Sequence, residues 1–356
     1  ARPDLVGHLE VARSRPGGLV QDAVHLDGRP GPRDPHRALG WYYYHGLRDY
    51  DRALAEFARV LTIQPNNTLA LASTAWVQRR QGKWSEAIAG LEMVNKLDPL
   101  DPWYKYELAI TYHFCRRFRE GVALYDQAID LQPSLQWAYI LKSWALLNLN
   151  GKTREARAVL EAGRQCNGRW PELTWLEVYY DLCDKDYTHA LSLLTAPGDV
   201  LSPEQLERSD YYVIKGQTYS LMGEAKTAIV YFDSARVRRE NLLSISPNSA
   251  PLLISLAYVY AGLGMADSAV QLAKRAVELV PVSVDALEGP TYVRGLAMVY
   301  ARGAKAENTI EQLAYLLTIP SNISVNAIRM MPEFTSLRDN PRFRELLIRN
   351  EQEDGT

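Results

Sequence analysis

The sequence predicts an all-α protein assembled from consecutive helix-turn-helix units, and three patterns lead to that prediction. Small residues recur along the chain at a constant step, since Ala53, Ala87 and Gly121 lie 34 residues apart. Prolines recur at the same step, with Pro65 and Pro99 as the first pair. Between these marks, apolar residues follow one another at intervals of three and four, which is the spacing of one face of an α-helix. A period of this length that holds two amphipathic helices indicates a repeat architecture.

Each repeat has the same internal order of features. The first helix carries a small residue or tryptophan and, three positions later, an aromatic or aliphatic residue, as at Trp41 and Tyr44. A glycine such as Gly82 or Gly264 follows, because glycine permits the left-handed conformation that ends a helix. The second helix then begins, and a proline closes the unit because proline cannot lie inside the next helix.

Eight such units are predicted. Their ranges are 34–67, 68–101, 102–136, 137–170, 171–208, 209–249, 250–289 and 290–322. The fifth unit is irregular, because it lacks the closing proline and leads into the loop TAPGDVLSPEQ at residues 195–205. The sixth unit has an extended second helix. Each unit contacts mainly its neighbours, so the stability of the array is close to a sum of nearest-neighbour terms.

The repeat resembles the tetratricopeptide repeat. The resemblance is carried by DYDRALAEFARVLTIQP, KWSEAIAGLEMVNKLDP and RFREGVALYDQAIDLQP at residues 49–65, 83–99 and 117–133. It implies a right-handed α-solenoid of about eight units with a C-terminal capping segment.

A second resemblance concerns the two ends of the repeat array. GWYYYHGLRDYDRALAEF and the closing LRDNPRFRELL resemble the C-terminal repeat region of large bacterial signalling proteins, where the repeats follow a protein-kinase or winged-helix DNA-binding module. This sequence has no glycine-rich nucleotide loop, no HRD or DFG motif and no basic recognition helix. The resemblance therefore implies an interaction role and no kinase or regulator activity.

Three regions follow from these patterns. Residues 1–37 form an irregular N-terminal arm rich in glycine and proline, residues 38–322 form the solenoid, and residues 323–356 form a C-terminal cap and tail. Two interpretations of the arm stay open, a loosely attached segment and a functional strand-like one. Apolar residues of the last region can cover the exposed face of the last repeat, which an open solenoid needs for solubility. They are Phe334, Leu337, Phe343, Leu346 and Leu347.

The stretch GWYYYHGLRDY at residues 40–50 admits a strand, a cofactor-binding box or a helix. Adjacent aromatic residues favour a strand by propensity, but the repeat register predicts the first helix of the first unit followed by its turn. Trp41 and Tyr44 are then expected to face the partner helix and the next repeat. Tyr42 is expected to face the concave groove, and Tyr43 the outer edge.

The charge and cysteine content exclude several classes of protein. The chain has 40 basic and 42 acidic residues, a net charge of −2, without the basic excess of a nucleic-acid binder. It contains no apolar run of about 18 residues, so no membrane insertion is predicted. Three cysteines without a CxxC pair favour a reducing compartment, which gives a cytoplasmic location as the expectation. The resemblance to signalling proteins leaves either side of a membrane open.

No catalytic residue, metal ligand or cofactor is predicted. The histidines form no HExxH motif and no close metal-binding pair. His45 and His113 occupy equivalent positions on the first helices of units one and three, where a hydrogen-bonded or solvated role is favoured over metal ligation. Gly262 and Gly264 lack the third glycine of a dinucleotide fingerprint.

The tetratricopeptide resemblance places side chains of the first helices along a concave groove. The residues predicted to bind a partner there are Tyr42, Trp76, Arg79, Arg80, Trp103, Tyr106, Ile110, His113, Trp175 and Tyr179. Aromatic and arginine side chains dominate binding hot spots. The alternative is a tightly wound solenoid that fills its own interior with the same side chains.

The expected ligand of this groove is an extended apolar or aromatic peptide, with acidic flanks that meet Arg79 and Arg80. Relatives that clamp the C-terminal carboxylate of chaperones use lysine and asparagine at fixed positions of the first helices. The corresponding positions here hold Pro35, Leu39, Leu69, Ser73, Trp103 and Glu107. A chaperone-tail receptor is therefore disfavoured.

The sequence thus predicts a non-catalytic scaffold that binds a protein or peptide partner in an aromatic-lined concave groove. One alternative is a sensory or regulatory region of a larger bacterial signalling protein. A second is a structural subunit that assembles end to end as a homo-oligomer, because heterologous contacts that do not close give filaments. A third is an enzyme whose site carries no recognisable motif.

Overall fold

A computed structural model describes residues 34–168, 171–195 and 211–351. The chain divides into two compact units, one up to Thr111 and the other from Tyr112 onward. The predicted N-terminal arm lies outside the described residues except for its last four positions. Of the predicted loop at residues 195–205, all but Thr195 lies outside them as well.

The described residues form an all-α array of helical hairpins, as the sequence predicts for a tetratricopeptide-type α-solenoid. The first four hairpins comprise α1 (Pro35–Trp41) continued by a π-helix (Tyr42–Leu47), α2 (Tyr50–Ile63), α3 (Thr68–Arg80), α4 (Trp84–Leu97), α5 (Pro102–Phe114), α6 (Phe118–Leu131), α7 (Gln136–Asn150) and α8 (Thr153–Asn167). The next four comprise α9 (Pro171–Asp184), α10 (Tyr187–Thr195), α11 (Tyr211–Leu221), α12 (Ala225–Ile245), α13 (Ala250–Gly262), α14 (Ala266–Leu279), α15 (Gly289–Arg302) and α16 (Ala306–Thr318). After the last hairpin come α17 (Val325–Met330), a 3₁₀ helix (Pro332–Leu337) and α18 (Pro341–Asn350).

The aromatic stretch near the start of the chain is helical, but its second half differs from the predicted α-helix. Asp34 caps α1 by accepting hydrogen bonds from the backbone N–H groups of His36 and Arg37. From Tyr42 to Leu47 the chain widens into a π-helix, a rare form that often marks functional sites. Tyr44 is buried at 5 % exposure. The extra residue that a π-turn accommodates shifts the rings of this stretch relative to a regular α-helix.

Every hairpin turn in the described chain contains one residue in the left-handed conformation. These residues are Arg48, Gly82, Arg116, Gly151, Lys185, Gly223, Gly264 and Ala304. The steps between these residues along the chain equal the steps between the small residues of the second helices. The turns and the buried positions of the second helices therefore recur with the same period. At the four positions without glycine, the left-handed backbone costs about 1 kcal/mol that glycine would avoid.

The core of the first unit follows the predicted face of the second helices. Ala53 and Phe57 are fully buried, and Val60 is 1 % exposed. The corresponding fully buried residues of the second repeat are Ala87, Leu91 and Val94. The ring of Phe57 packs on the backbone of α1, where a Cβ atom at Gly40 would lie 2.4 Å from it. Burying such a ring contributes about 2–3 kcal/mol to the stability of the fold. The ring fits there because Gly40, the residue opposite, has no side chain.

In the second unit, the end of the chain does more than cap the last repeat. Phe334, Leu337, Phe343 and Leu347 are buried against α16 in one cluster, and Leu346 packs against it, which is the predicted capping arrangement. The residues between α16 and this cap, 319–333, are called the strap. They run along the inner side of the second unit, which is the side formed by the first helices of its hairpins. Ser321, Ile323 and Ser324 in the strap are at most 1 % exposed. This course was not predicted from the sequence.

Replacing Gly264 by alanine tests the contribution of turn conformation to stability. Its φ is +79°, and a Cβ atom there would meet nothing within 4 Å, so the cost arises from the backbone alone. We expect Gly264→Ala to lower the free energy of unfolding by about 1 kcal/mol, measured by urea denaturation followed by circular dichroism.

Gly303→Ala is the matched control for this prediction. Gly303 has φ −82°, and its added Cβ would make only ordinary contacts, the nearest at 3.5 Å from the carbonyl oxygen of Val299. Alanine at this position should leave stability unchanged or raise it by up to about 1 kcal/mol. Equal losses in both variants would contradict the assignment of the Gly264 effect to its positive φ.

Candidate protein-binding surface

The first unit contains an aromatic cluster around Trp76, one of the residues predicted to bind a partner. The ring of Trp76 lies edge-on to Trp41 with centroids 5.8 Å apart, and it is 6 % exposed. Arg80 donates from Nε to the hydroxyl of Tyr44 at 2.8 Å and lies over the same ring at 5.4 Å. Edge-on aromatic pairs and cation–π contacts each add about 0.5–1.5 kcal/mol to burial. The cluster therefore fixes the orientation of α3 against the π-helix.

Arg79, predicted to meet acidic flanks of a ligand, instead pairs with an acidic residue of the chain itself. Its Nη2 donates to Glu107 at 2.9 Å, and its Nη1 donates to the Thr111 hydroxyl at 3.0 Å. The side chains of Arg79 and Glu107 are 6 % and 10 % exposed. Because both charges are buried, removing either partner alone would leave an uncompensated charge that costs about 3–5 kcal/mol. This pair joins α3 to α5 within the first unit.

Other predicted residues of the first unit differ in exposure. Tyr106 is 6 % exposed. Burial, and then the charge of Glu107, raises the pKa of its hydroxyl well above the ordinary value. Its ring lies 5.1 Å from that of Trp103. Tyr42, Arg80, Trp103 and Ile110 are each only partly buried, and these four are called the aromatic surface. The predicted set thus separates into buried supports and side chains that solvent reaches.

In the second unit, His113 is buried at 2 % exposure, edge-on to Phe118 at 5.3 Å. Its Nε2 atom is buried and has no hydrogen-bond partner among the described residues. Burial, and then the charge of Arg294, lowers the pKa of His113 to about 3. The imidazole is therefore neutral at physiological pH.

The remaining predicted residues, Trp175 and Tyr179, are partly buried on α9. Trp175 lies edge-on to Tyr211 at 6.4 Å. Tyr179 lies 6.0 Å from the ring of Trp144 and donates from its hydroxyl to Oε2 of Glu333 in the strap at 3.2 Å. Binding of a partner by any of the predicted residues stays a prediction.

Glu333 lies at the centre of a polar network that the sequence did not indicate. Besides Tyr179, Gln217 donates to it from Nε2 at 2.9 Å. Burial raises the pKa of Glu333, while these hydrogen bonds and the charge of Arg302 oppose that shift. Arg302 itself donates to the Tyr258 hydroxyl at 2.8 Å. Nothing in the sequence identified the carboxylate at the centre of this network.

Neither a metal centre nor a membrane span is found in the described part of the chain. No three or more histidine, cysteine, aspartate or glutamate side chains there are placed to hold a metal ion. None of the helices in the described ranges is long and apolar enough to cross a membrane.

Comparison with known proteins supports the repeat assignment. Residues 38–67 match the family model described as tetratricopeptide repeat. No curated protein matches the chain.

Three solved structures resemble the chain at low identity. The MamA RS-1 ArsTM double mutant is 19% identical with a TM-score of 0.36, covering 47% of this chain and 96% of its own. The APC/C hetero-tetramer Cut9-Hcn1 is 14% identical with a TM-score of 0.44, covering 93% and 59%. A mutant O-GlcNAc transferase of Thermobaculum terrenum is 23% identical with a TM-score of 0.34, covering 38% and 27%.

The depressed pKa of His113 predicts an acid-sensitive second unit. The unfolded chain binds a proton at His113 near pH 6.5, whereas the folded chain binds it only near pH 3. Between these values the unfolded state holds more protons, so the stability contributed by neutral His113 is present above pH 6.5 and falls as the pH decreases. Relative to His113→Phe, the wild type should lose about 1.5 kcal/mol between pH 6.5 and pH 5.

Urea denaturation of both proteins at the two pH values measures this difference. The variant serves as the control for every other titrating group, because only His113 is changed. Parallel losses of stability in the two proteins would show that His113 does not remain neutral in the fold.

Proposed function

We propose that the chain, an all-α repeat array with a tetratricopeptide match at residues 38–67, is a non-catalytic scaffold that binds an extended segment of a partner protein through the aromatic surface of its first unit. Repeats of this kind stack helices so that one series of them offers a continuous binding face. The aromatic surface consists of side chains on the first helices of three consecutive repeats.

The observation that carries the proposal is the partial exposure of large aromatic and arginine side chains on rigid helices. Tyr42, Arg80 and Trp103 remain accessible in part, although such side chains gain free energy by full burial. Tyrosine, tryptophan and arginine are the residue types enriched in binding hot spots. A partner that covers them would remove the remaining apolar area from water.

The buried members of the predicted set act as supports in this proposal. Trp76 braces Trp41, Tyr106 lies beside Trp103, and the pair of Arg79 and Glu107 holds α3 on α5. Fixed rotamers of this kind reduce the entropy lost on binding. Arg79 is buried and occupied by Glu107, so it belongs to the supports.

The partner chemistry that fits is an extended peptide with apolar or aromatic side chains. An aromatic surface on helices favours such a segment, and side-chain anchors then determine specificity. The positions where chaperone-tail receptors carry lysine and asparagine hold other residues, among them Leu69 and Ser73. A free C-terminal carboxylate is therefore not the expected anchor.

Selection from a displayed library of random peptides tests the proposal without knowledge of the natural partner. Wild-type protein should select peptides enriched in aromatic residues. The variant Tyr42→Ala, Trp103→Ala should bind the selected peptides at least about tenfold more weakly, because loss of a hot-spot side chain costs more than about 1 kcal/mol. Fluorescence anisotropy measures the affinities, and circular dichroism confirms that the variant is folded.

Tyr315→Ala is the matched control, because Tyr315 is an exposed aromatic residue on α16 of the second unit. It should bind the peptides as the wild type does. If the control loses affinity and the double variant keeps it, binding lies outside the aromatic surface. If no peptide is selected and light scattering shows growth with concentration, self-assembly replaces partner binding as the function.

A further inference from the structure

The strap is bound to the first helices of the second unit largely through its backbone. Arg116 donates from Nη2 to the carbonyl oxygens of Leu316 at 2.7 Å and Ile319 at 2.9 Å, and from Nε to that of Ile323 at 3.3 Å. The carbonyl oxygen of Phe114 accepts from the N–H of Ser321 at 2.8 Å. One turn of the solenoid thus holds four main-chain groups at the end of α16 and the start of the strap.

The next first helix along the chain, α7, continues this pattern. Trp144 donates from Nε1 to the carbonyl oxygen of Asn322 at 2.9 Å. The side-chain oxygen of Asn148 accepts from the N–H of Ser324 at 2.8 Å. Asn326 donates from Nδ2 to the carbonyl oxygen of Leu149 at 2.9 Å. Side chains that hold both the donors and the acceptors of an extended backbone are typical of grooves that recognise peptides.

Two polar side chains of the strap also accept hydrogen bonds from the first helices. Oδ1 of Asn322 accepts from Nη1 of Arg294 at 3.1 Å, and Glu333 accepts from Tyr179 and Gln217. Polar groups on the inner face of a repeat array cost free energy when they are buried without partners. The strap supplies these partners, so the inner face of the second unit has the donor set of a site for a polar peptide that carries a carboxylate.

The strap is also held by apolar side chains. Ile323, Val325, Ala327, Ile328 and Met331 of the strap belong to the same buried cluster as Phe334, Leu337, Phe343 and Leu347 of the cap. A segment that replaces the strap must therefore supply apolar side chains as well as hydrogen bonds. Ile323 and Ile328, each 1 % exposed, are the apolar anchors within the strap.

We propose that the inner face of the second unit is a peptide-binding groove that the chain's own strap occupies, and that its external ligand is a segment of a partner protein that carries apolar anchors and a carboxylate and replaces the strap. The ligand presents main-chain carbonyl groups to Arg116 and Trp144 and a carboxylate to Tyr179 and Gln217. This site is separate from the aromatic surface of the first unit, and either can fail without the other.

A labelled peptide with the strap sequence, IPSNISVNAIRMMPE, is the probe for this groove. The full chain is weakened on the strap side only, by Ser324→Ala with Glu333→Gln, so that the groove itself stays intact. Ser324 donates from its hydroxyl to the carbonyl oxygen of Asn148 at 2.8 Å, and this contact is lost. The double variant should bind the peptide at least about tenfold more tightly than the wild type.

The control carries the same two kinds of substitution at exposed positions beyond the strap, Thr335→Ala with Glu345→Gln. It should bind the probe as weakly as the wild type. A probe in which the glutamate corresponding to Glu333 is glutamine should bind the double variant more weakly than the unmodified probe. Equal affinity of all three proteins for the probe would overturn the proposal.

Amide hydrogen exchange of the wild type provides a measurement that does not depend on any variant. The N–H groups of Ser321 and Ser324 should exchange faster than those of α13, because release of the strap leaves the hairpins folded. If they exchange only with the whole second unit, the strap is an inseparable part of the core, and the groove is not a binding site. That result decides the question even if the double variant does not fold.

Discussion

The course of the strap along the second unit depends on the hydrogen bonds of the Arg116 guanidinium. Arg116 lies in the turn after α5, at the position where other hairpins carry Gly82 or Gly151 in the same left-handed conformation. The conformational cost of a non-glycine residue there is about 1 kcal/mol. Hydrogen bonds from a charged donor contribute about 1.5–3 kcal/mol each, and Arg116 makes three of them to carbonyl oxygens of the C-terminal segment. The side chain therefore outweighs the strain of the turn.

The hairpins were predictable from the sequence because their determinants are local and periodic. Ala53 and Phe57 lie on one face of α2 as their spacing requires, and Gly82 adopts the positive φ that its position in the turn requires. The apolar cap was predictable for a related reason, since Phe334 and Phe343 follow the last predicted repeat and can cover its exposed face. Such features follow from the helical period and from the need to cover an open end.

The strap was not predictable, because its contacts have no period, and those to Arg116, Trp144 and Asn148 join residues 176 to 207 positions apart. From its position in the sequence, Arg116 is expected to be an ordinary exposed turn residue. Asn148 is expected to be a polar residue near a helix end. Their partners are main-chain atoms, which leave no trace in side-chain patterns. The same limit applies to Arg79, whose sequence position predicts a groove but whose charge is neutralised by Glu107 within the first unit.

The order of synthesis gives the course of the strap a further consequence. All hairpins of the second unit leave the ribosome before residues 319–333 do, and local helical contacts form fast while distant ones pay loop-closure entropy. The polar side chains of Arg116, Trp144 and Arg294 therefore stay in contact with water on a folded array until residues 319–333 emerge. During that interval the nascent protein exposes a polar face, which the strap then covers.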